Sequence, residues 1–176
     1  MKRVFLIFMA MLIAGINTAA WAEASKEEAR IEKDASALDK DTNKPEGEKM
    51  VVQRLEKEFN VDSARINGLR DQKLGYGEIA IVLAMAERLP GGITDANINK
   101  IMSMRQGPPV EGWGKIAMKL GFKLGPVISK VERVKAEAHR DIEKIHREKV
   151  EKIEKKEKHE KVEKIERHER PGRKGR

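Results

Sequence analysis

The chain has 176 residues, with 37 Lys and Arg against 29 Asp and Glu, a formal net charge of +8, 4% aromatic residues and no cysteine. The lack of cysteine excludes disulfides, thiolate metal sites, iron–sulfur clusters, a cysteine nucleophile and a lipidated cysteine. The charge is uneven: residues 130–176 carry 18 basic and 12 acidic side chains, so most of the excess belongs to the tail, whereas residues 23–49 carry 6 basic against 9 acidic.

Lys2 and Arg3 precede a small-and-apolar run from Val4 to Ile16, followed by Ala19-Ala20-Trp21-Ala22. This is the pattern of a secretory signal peptide over 1–22, with cleavage expected after Ala22 and a periplasmic or secreted product. The apolar run is shorter than the roughly 20 residues a spanning helix needs, so no permanent transmembrane helix is expected after cleavage. Residues 23–49 are rich in Glu, Lys, Asp and Ala with few large apolar residues, and read as a charged flexible linker. Within it Asp39, Asp41 and Asn43 imitate the start of a calcium loop, but Lys44 and Met50 stand where that loop needs Gly and Glu.

Residues 50–129 hold the regular apolar spacing of a small helical domain. Val51, Val52, Leu55 and Phe59 recur at helical intervals, and Asp62 or Ser63 is placed to cap a second helix through Ile66 and Leu69. Ile79, Ala80, Leu83, Ala86 and Leu89 mark a largely buried helix stopped by Pro90-Gly91-Gly92; Thr94 is an N-cap for a helix through Ile98, Ile101 and Met104. Gly112-Trp113-Gly114 then opens a helix containing Ile116, Ala117 and Leu120. No stretch alternates as a strand does, so the expected class is all-α.

Two segments rhyme. Leu69-Arg70 is followed by Gly75-Tyr76-Gly77-Glu78-Ile79-Ala80, and Met104-Arg105 by Gly112-Trp113-Gly114-Lys115-Ile116-Ala117. This degenerate duplication has two readings. In one, paired glycines allow tight turns and each ring plugs the gap between short helices. In the other, Tyr76 and Trp113, with Arg70 and Arg105, form a partner-binding platform.

The second copy continues Met118-Lys119-Leu120-Gly121-Phe122-Lys123-Leu124-Gly125-Pro126-Val127-Ile128. Over 116–128 it resembles the helix-turn-helix of bacterial serine recombinases, whose second helix enters the major groove. The resemblance implies a nucleic-acid alternative carried by Lys115, Lys119, Lys123, Ser129 and Lys130, although the positions facing base edges are poor in Asn, Gln and Arg. The whole layout also resembles small exported bacterial proteins of unassigned function that carry Gly-Tyr-Gly and Gly-Trp-Gly repeats.

From Glu148 the tail runs in Glu-Lys-x tripeptides, which place a Lys or Arg four residues after every Glu from Glu148 to Glu166. Such pairs contribute about 0.2–0.5 kcal/mol each in the favourable order, enough together to help hold a helix that packs on nothing. With Pro126 suited to a first turn and Pro171-Gly172 a stop, one long charged helix is expected from about 125 to 170, comprising a charged repeat helix over 130–170 and a basic end over 171–176. Val131, Val134, Ile142, Ile145, Val150 and Ile153 share a broad face that allows a weak homodimer, while Val162 and Ile165 drift off it. The basic end suits an anionic polymer. His139, Glu143 and His146 fall on one helical face and are the candidate metal ligands, a third and weaker reading. No catalytic motif is present, the helical domain has no histidine, and no cofactor is expected. The leading expectation is an exported, non-enzymatic envelope binding or scaffold protein, its domain gripping an unknown envelope protein and its charged helix acting as a spacer.

Overall fold

The computed structural model describes residues 25–169, with side chains to 164; the expected signal peptide (1–22) and basic end (171–176) lie outside the described residues. Among the described residues the fold is all-α, with no strand. In chain order the helices are α1 (25–42), α2 (Gly47–Phe59), α3 (Ser63–Asp71), α4 (Tyr76–Ala86), α5 (Asp95–Gln106), α6 (Trp113–Lys119) and α7 (Gly125–Glu169).

The local signals act where the sequence places them. Asn60 ends α2 in the left-handed conformation (φ 51°), Asp62 accepts a hydrogen bond from the Arg65 N–H, and Thr94 accepts one from the Asn97 N–H. Helix α4 is the centre of the head: every residue except Glu78 is buried, and α2, α3, α5 and α7 all pack on it. An all-round apolar helix of this kind has to be wrapped by the others.

Residues 25–42 correct the expected linker. They form α1, whose Ile31, Ala35 and Leu38 are buried at i, i+4 and i+7. Two large apolar residues suffice because alanine between them permits close approach. A Cβ at Gly77 would lie 2.2 Å from the Ala35 carbonyl oxygen, so the start of α4 touches the α1 backbone itself. The core consequently runs past both expected boundaries of the 50–129 domain, from Ile31 to Ile142.

Helix α7 is a single element of 45 residues, about 68 Å long. Its first third packs on α2 and α4 through Val127, Ile128, Val131, Val134, Ala138 and Ile142. Charged pairs flank this seam: Arg54 bridges Glu137 and Asp141, Glu58 meets Lys130 and Arg133, and Lys135 reaches Asp34 on α1. Val131, Val134 and Ile142 thus face their own core, and of the expected dimer face Val150 and Ile153 remain exposed. Lys149 pairs with Glu46 on the head at 2.9 Å, and residues 150–164 of α7 beyond it are exposed and form an arm.

Candidate functional site

The two Gly-aromatic-Gly turns adopt the same local arrangement. The Arg70 guanidinium carbon lies 4.5 Å from the centroid of the Tyr76 ring, and its Nη1 donates to the Leu74 carbonyl. Arg105 lies 4.5 Å from the Trp113 ring centroid, and its Nη1 donates to the Glu111 carbonyl. In each case the arginine holds the carbonyl two residues before the ring it covers, so the rhyme in sequence is also a rhyme in geometry.

Neither turn has an N-cap side chain of its own, because Gly75 and Gly112 occupy the N-cap positions of α4 and α6 and offer no side-chain acceptor. At the first turn Glu78 Oε2 accepts from the Gly75 N–H at 3.4 Å, which leaves the N–H groups inside the helix to be capped from elsewhere. Helix α1 supplies the acceptors for both turns. Asp39 Oδ1 accepts from the Gly77 N–H at 3.0 Å. The two Glu28 oxygens accept from the N–H groups of Trp113 and Gly114, each at 2.6 Å. A Cβ on Gly75 would come 2.6 Å from the Asp39 carboxylate, and one on Gly112 would come 2.8 Å from that of Glu28. Each leading glycine therefore makes the slot its carboxylate occupies, and the positive end of the helix dipole holds the charge there.

This arrangement answers the platform reading of Tyr76 and Trp113. Tyr76 is 5% exposed and Trp113 1%, and Arg70 and Arg105 are committed to the rings and carbonyls. The Tyr76 hydroxyl donates to Glu48 at 2.6 Å, and burial, followed by that carboxylate, pushes its pKa up. The two rings are core residues, covered by the part-buried Arg105 and the more exposed Arg70, and they present almost no accessible surface for stacking a partner.

The lysines of the nucleic-acid alternative are also largely engaged. Lys115 and Lys119 both reach Glu111, which is nearly buried and whose pKa the Lys119 hydrogen bond lowers most. Lys130 is shared by Glu58, Glu87 and the face of Phe59. The Ser129 hydroxyl donates back to the Gly125 carbonyl, and Lys123 remains exposed. The segment that resembles a recognition helix is the root of α7, where Leu124, Val127 and Ile128 are buried and the Glu27 carboxylate lies beside Gly125.

The metal candidates do not converge. His139 Nδ1 lies 3.2 Å from both Asp41 carboxylate oxygens, Glu143 faces Lys44 at 3.6 Å, and His146 is exposed. Among the described residues no group of three His, Asp or Glu side chains is placed to hold a metal ion. Asp39 and Asp41, which imitate a calcium loop in sequence, serve as a helix cap and an ionic latch.

Among the described residues the exposed large apolar side chains are Val110 and Met118 on the head, and Val150, Ile153 and Val162 on the arm. An open groove of about 610 Å³ lies between α3 and α5. Its lining includes none of the candidate partner-, nucleic-acid- or metal-binding residues, and it contains a glycine in mid-helix, Gly68. Among the described residues, no helix is long and apolar enough to cross a membrane. Comparison of the chain with known protein families, with curated proteins and with solved structures finds no match.

Proposed function

We propose that this chain is an exported, non-enzymatic binding or scaffold protein of the cell envelope, in which a clamped helical head carries a long charged helix as a spacer. The observation that carries this reading is the division of α7. One continuous helix is a core element as far as Ile142 and a solvent-exposed arm beyond Lys149, with Val150, Ile153 and Val162 uncovered. A helix built this way transmits position: the buried third fixes its bearing, and the roughly 30 Å beyond Lys149 set the distance over which the head can reach. Glu-to-Lys pairing at i, i+4, as in Glu151 to Lys155 at 2.6 Å, supports a helix that lacks tertiary contacts. The signal-peptide pattern of residues 1–22 supports the envelope address.

The test is cell fractionation with mass spectrometry of the mature N-terminus, combined with photo-crosslinkers placed singly at the exposed head positions Val110 and Met118 and at buried Ile79. A chain starting at Glu23 in the envelope, with adducts from the head-surface positions and none from Ile79, supports the proposal. A cytoplasmic product that retains Met1, or a head surface that yields no adduct, overturns it.

A further inference from the structure

Helix α6 buries Trp113, Ile116 and Ala117 and turns Lys115, Met118 and Lys119 outward. Met118 is 71% exposed, and Val110, in the loop that leads into the helix, is 70% exposed. Among the described residues these are the two most exposed large apolar side chains, ahead of those on the arm. They stand at either side of one acidic residue. Val110 precedes Glu111 in the chain, and Met118 shares its helix face with the two lysines that Glu111 holds.

The Glu111 carboxylate is nearly buried, and its Oε1 meets the Lys115 ammonium at 3.2 Å and the Lys119 ammonium at 2.5 Å. Both ammonium groups are therefore held side by side against one oxygen. One carboxylate cannot neutralise two ammonium groups, so the trio keeps a net positive charge. The lysine side chains are 55% and 47% exposed, whereas Glu111 Oε2 is buried without a hydrogen-bond partner. The negative member of the trio thus lies beneath the surface and the positive members lie on it. Lys123, just past the end of the helix, adds an exposed cation. Glu28, which reaches the start of α6 from α1, is bound by the Trp113 and Gly114 N–H groups.

We propose that this face of the head, formed by Val110, Lys115, Met118, Lys119 and Lys123, docks on the surface of an anionic lipid bilayer. Charge complementarity selects the occupant: the paired lysines meet lipid phosphates, which a negative membrane surface supplies at high local density. Lysine stems lie along apolar surface while their ammonium groups stay among the headgroups, and Met118 and Val110 enter the boundary with the acyl chains. A nucleic acid would use the same lysines through its phosphates but would leave the two apolar side chains without a partner, which favours the bilayer. This inference deepens the envelope-binding reading and rests on it, by naming what the head grips. The two fail separately: crosslinking in cells from Val110 and Met118 to a protein, with no vesicle binding by the purified chain, would leave that reading standing and remove this one.

The test uses the chain beginning at Glu23. Because the sequence has no cysteine, Val110→Cys, Met118→Cys and, on the arm, Val150→Cys each accept a single environment-sensitive fluorophore. The probes are vesicles of equal parts phosphatidylglycerol and phosphatidylcholine, vesicles of phosphatidylcholine alone, and a duplex oligonucleotide. Blue-shifted emission at 110 and 118, quenched by brominated acyl chains, with the anionic vesicles only and reversed by molar salt, supports the proposal. So does an unquenched label at 150. The unlabelled double variant Val110→Ser, Met118→Ser, shown to be folded by its Trp113 emission, should co-sediment with the anionic vesicles about tenfold more weakly. Vesicle binding without quenching at 110 and 118, which the basic end alone would give, overturns the proposal. Equal response to phosphatidylcholine alone, a matching blue shift with the oligonucleotide, or unchanged co-sedimentation of the double variant also overturns it.

Discussion

Glu28 and Asp39 stand eleven residues apart on α1, and each carboxylate caps one of the two Gly-aromatic-Gly helices. Eleven residues make just over three whole turns and about 16 Å of rise, so the pair lies on one face of α1 at the separation of the two helix starts. The repeat is thus closed by a helix that belongs to neither copy.

Removing either cap should destabilise the head. Glu28→Ala should cost about 1–2 kcal/mol, because it strips acceptors from two N–H groups, and Asp39→Ala about 1 kcal/mol. The sites share no partner, so the double variant should show the sum within about 0.5 kcal/mol in urea denaturation. No effect from either substitution would return residues 25–42 to the status of a linker.

The clamped rings carry more. Trp113→Ala should cost about 3–5 kcal/mol, a large part of a small domain's stability. Trp113 is the single tryptophan of a chain starting at Glu23, so its emission reports unfolding directly. A blue-shifted emission that moves red in one cooperative transition is expected; red, quencher-accessible emission from the native protein would contradict its burial.

Tyr76 is the only tyrosine in the sequence, which makes its ionisation readable by ultraviolet absorbance. Burial raises its pKa above the ordinary value, so the folded state holds the phenolic proton more tightly than the unfolded chain does. Stability should be fully present below pH ~10 and decline as pH rises from there through the folded pKa. Tyr76→Phe should flatten that alkaline slope while losing about 1 kcal/mol with the hydrogen bond to Glu48. A titration midpoint at or below the ordinary tyrosine value would refute the burial argument.

The arm should melt independently of the head. A stop after Lys149 should leave the head's stability within about 0.5 kcal/mol of the full chain while removing helical circular dichroism in proportion to the residues lost. The Lys155 hydrogen bond lowers the Glu151 pKa. Its pairing is therefore present above the ordinary carboxylate value and lost as pH falls through the lowered one. Arm helicity should decline in acid and in molar salt, read by circular dichroism as the difference between full-length and truncated chains. An arm whose helix ignores both would have to be held by a contact other than its ion pairs.

Much of this architecture is legible in the residues themselves. Glycine and proline stops, the Asp62 and Thr94 caps, the apolar spacing of α2 and α4 and the Glu-to-Lys pairing of the arm are short-range properties, and short-range properties survive in the order of the chain. The similarity of Leu69–Leu83 to Met104–Leu120 is of the same kind. What only the tertiary structure decided is the use made of α1 and of the long helix. Glu28 meets the N–H groups of Trp113 and Gly114 across 85 and 86 positions, and Asp39 meets Gly77 across 38. A hydrophilic segment with two large apolar residues reads as solvated until the helix ends it caps are brought beside it. The same holds for Val131, Val134 and Ile142, which look like a dimer seam along the chain and are core once α2 and α4 lie against them. Local propensity sets which segments become helices; which face of each is buried depends on the surfaces the rest of the chain delivers.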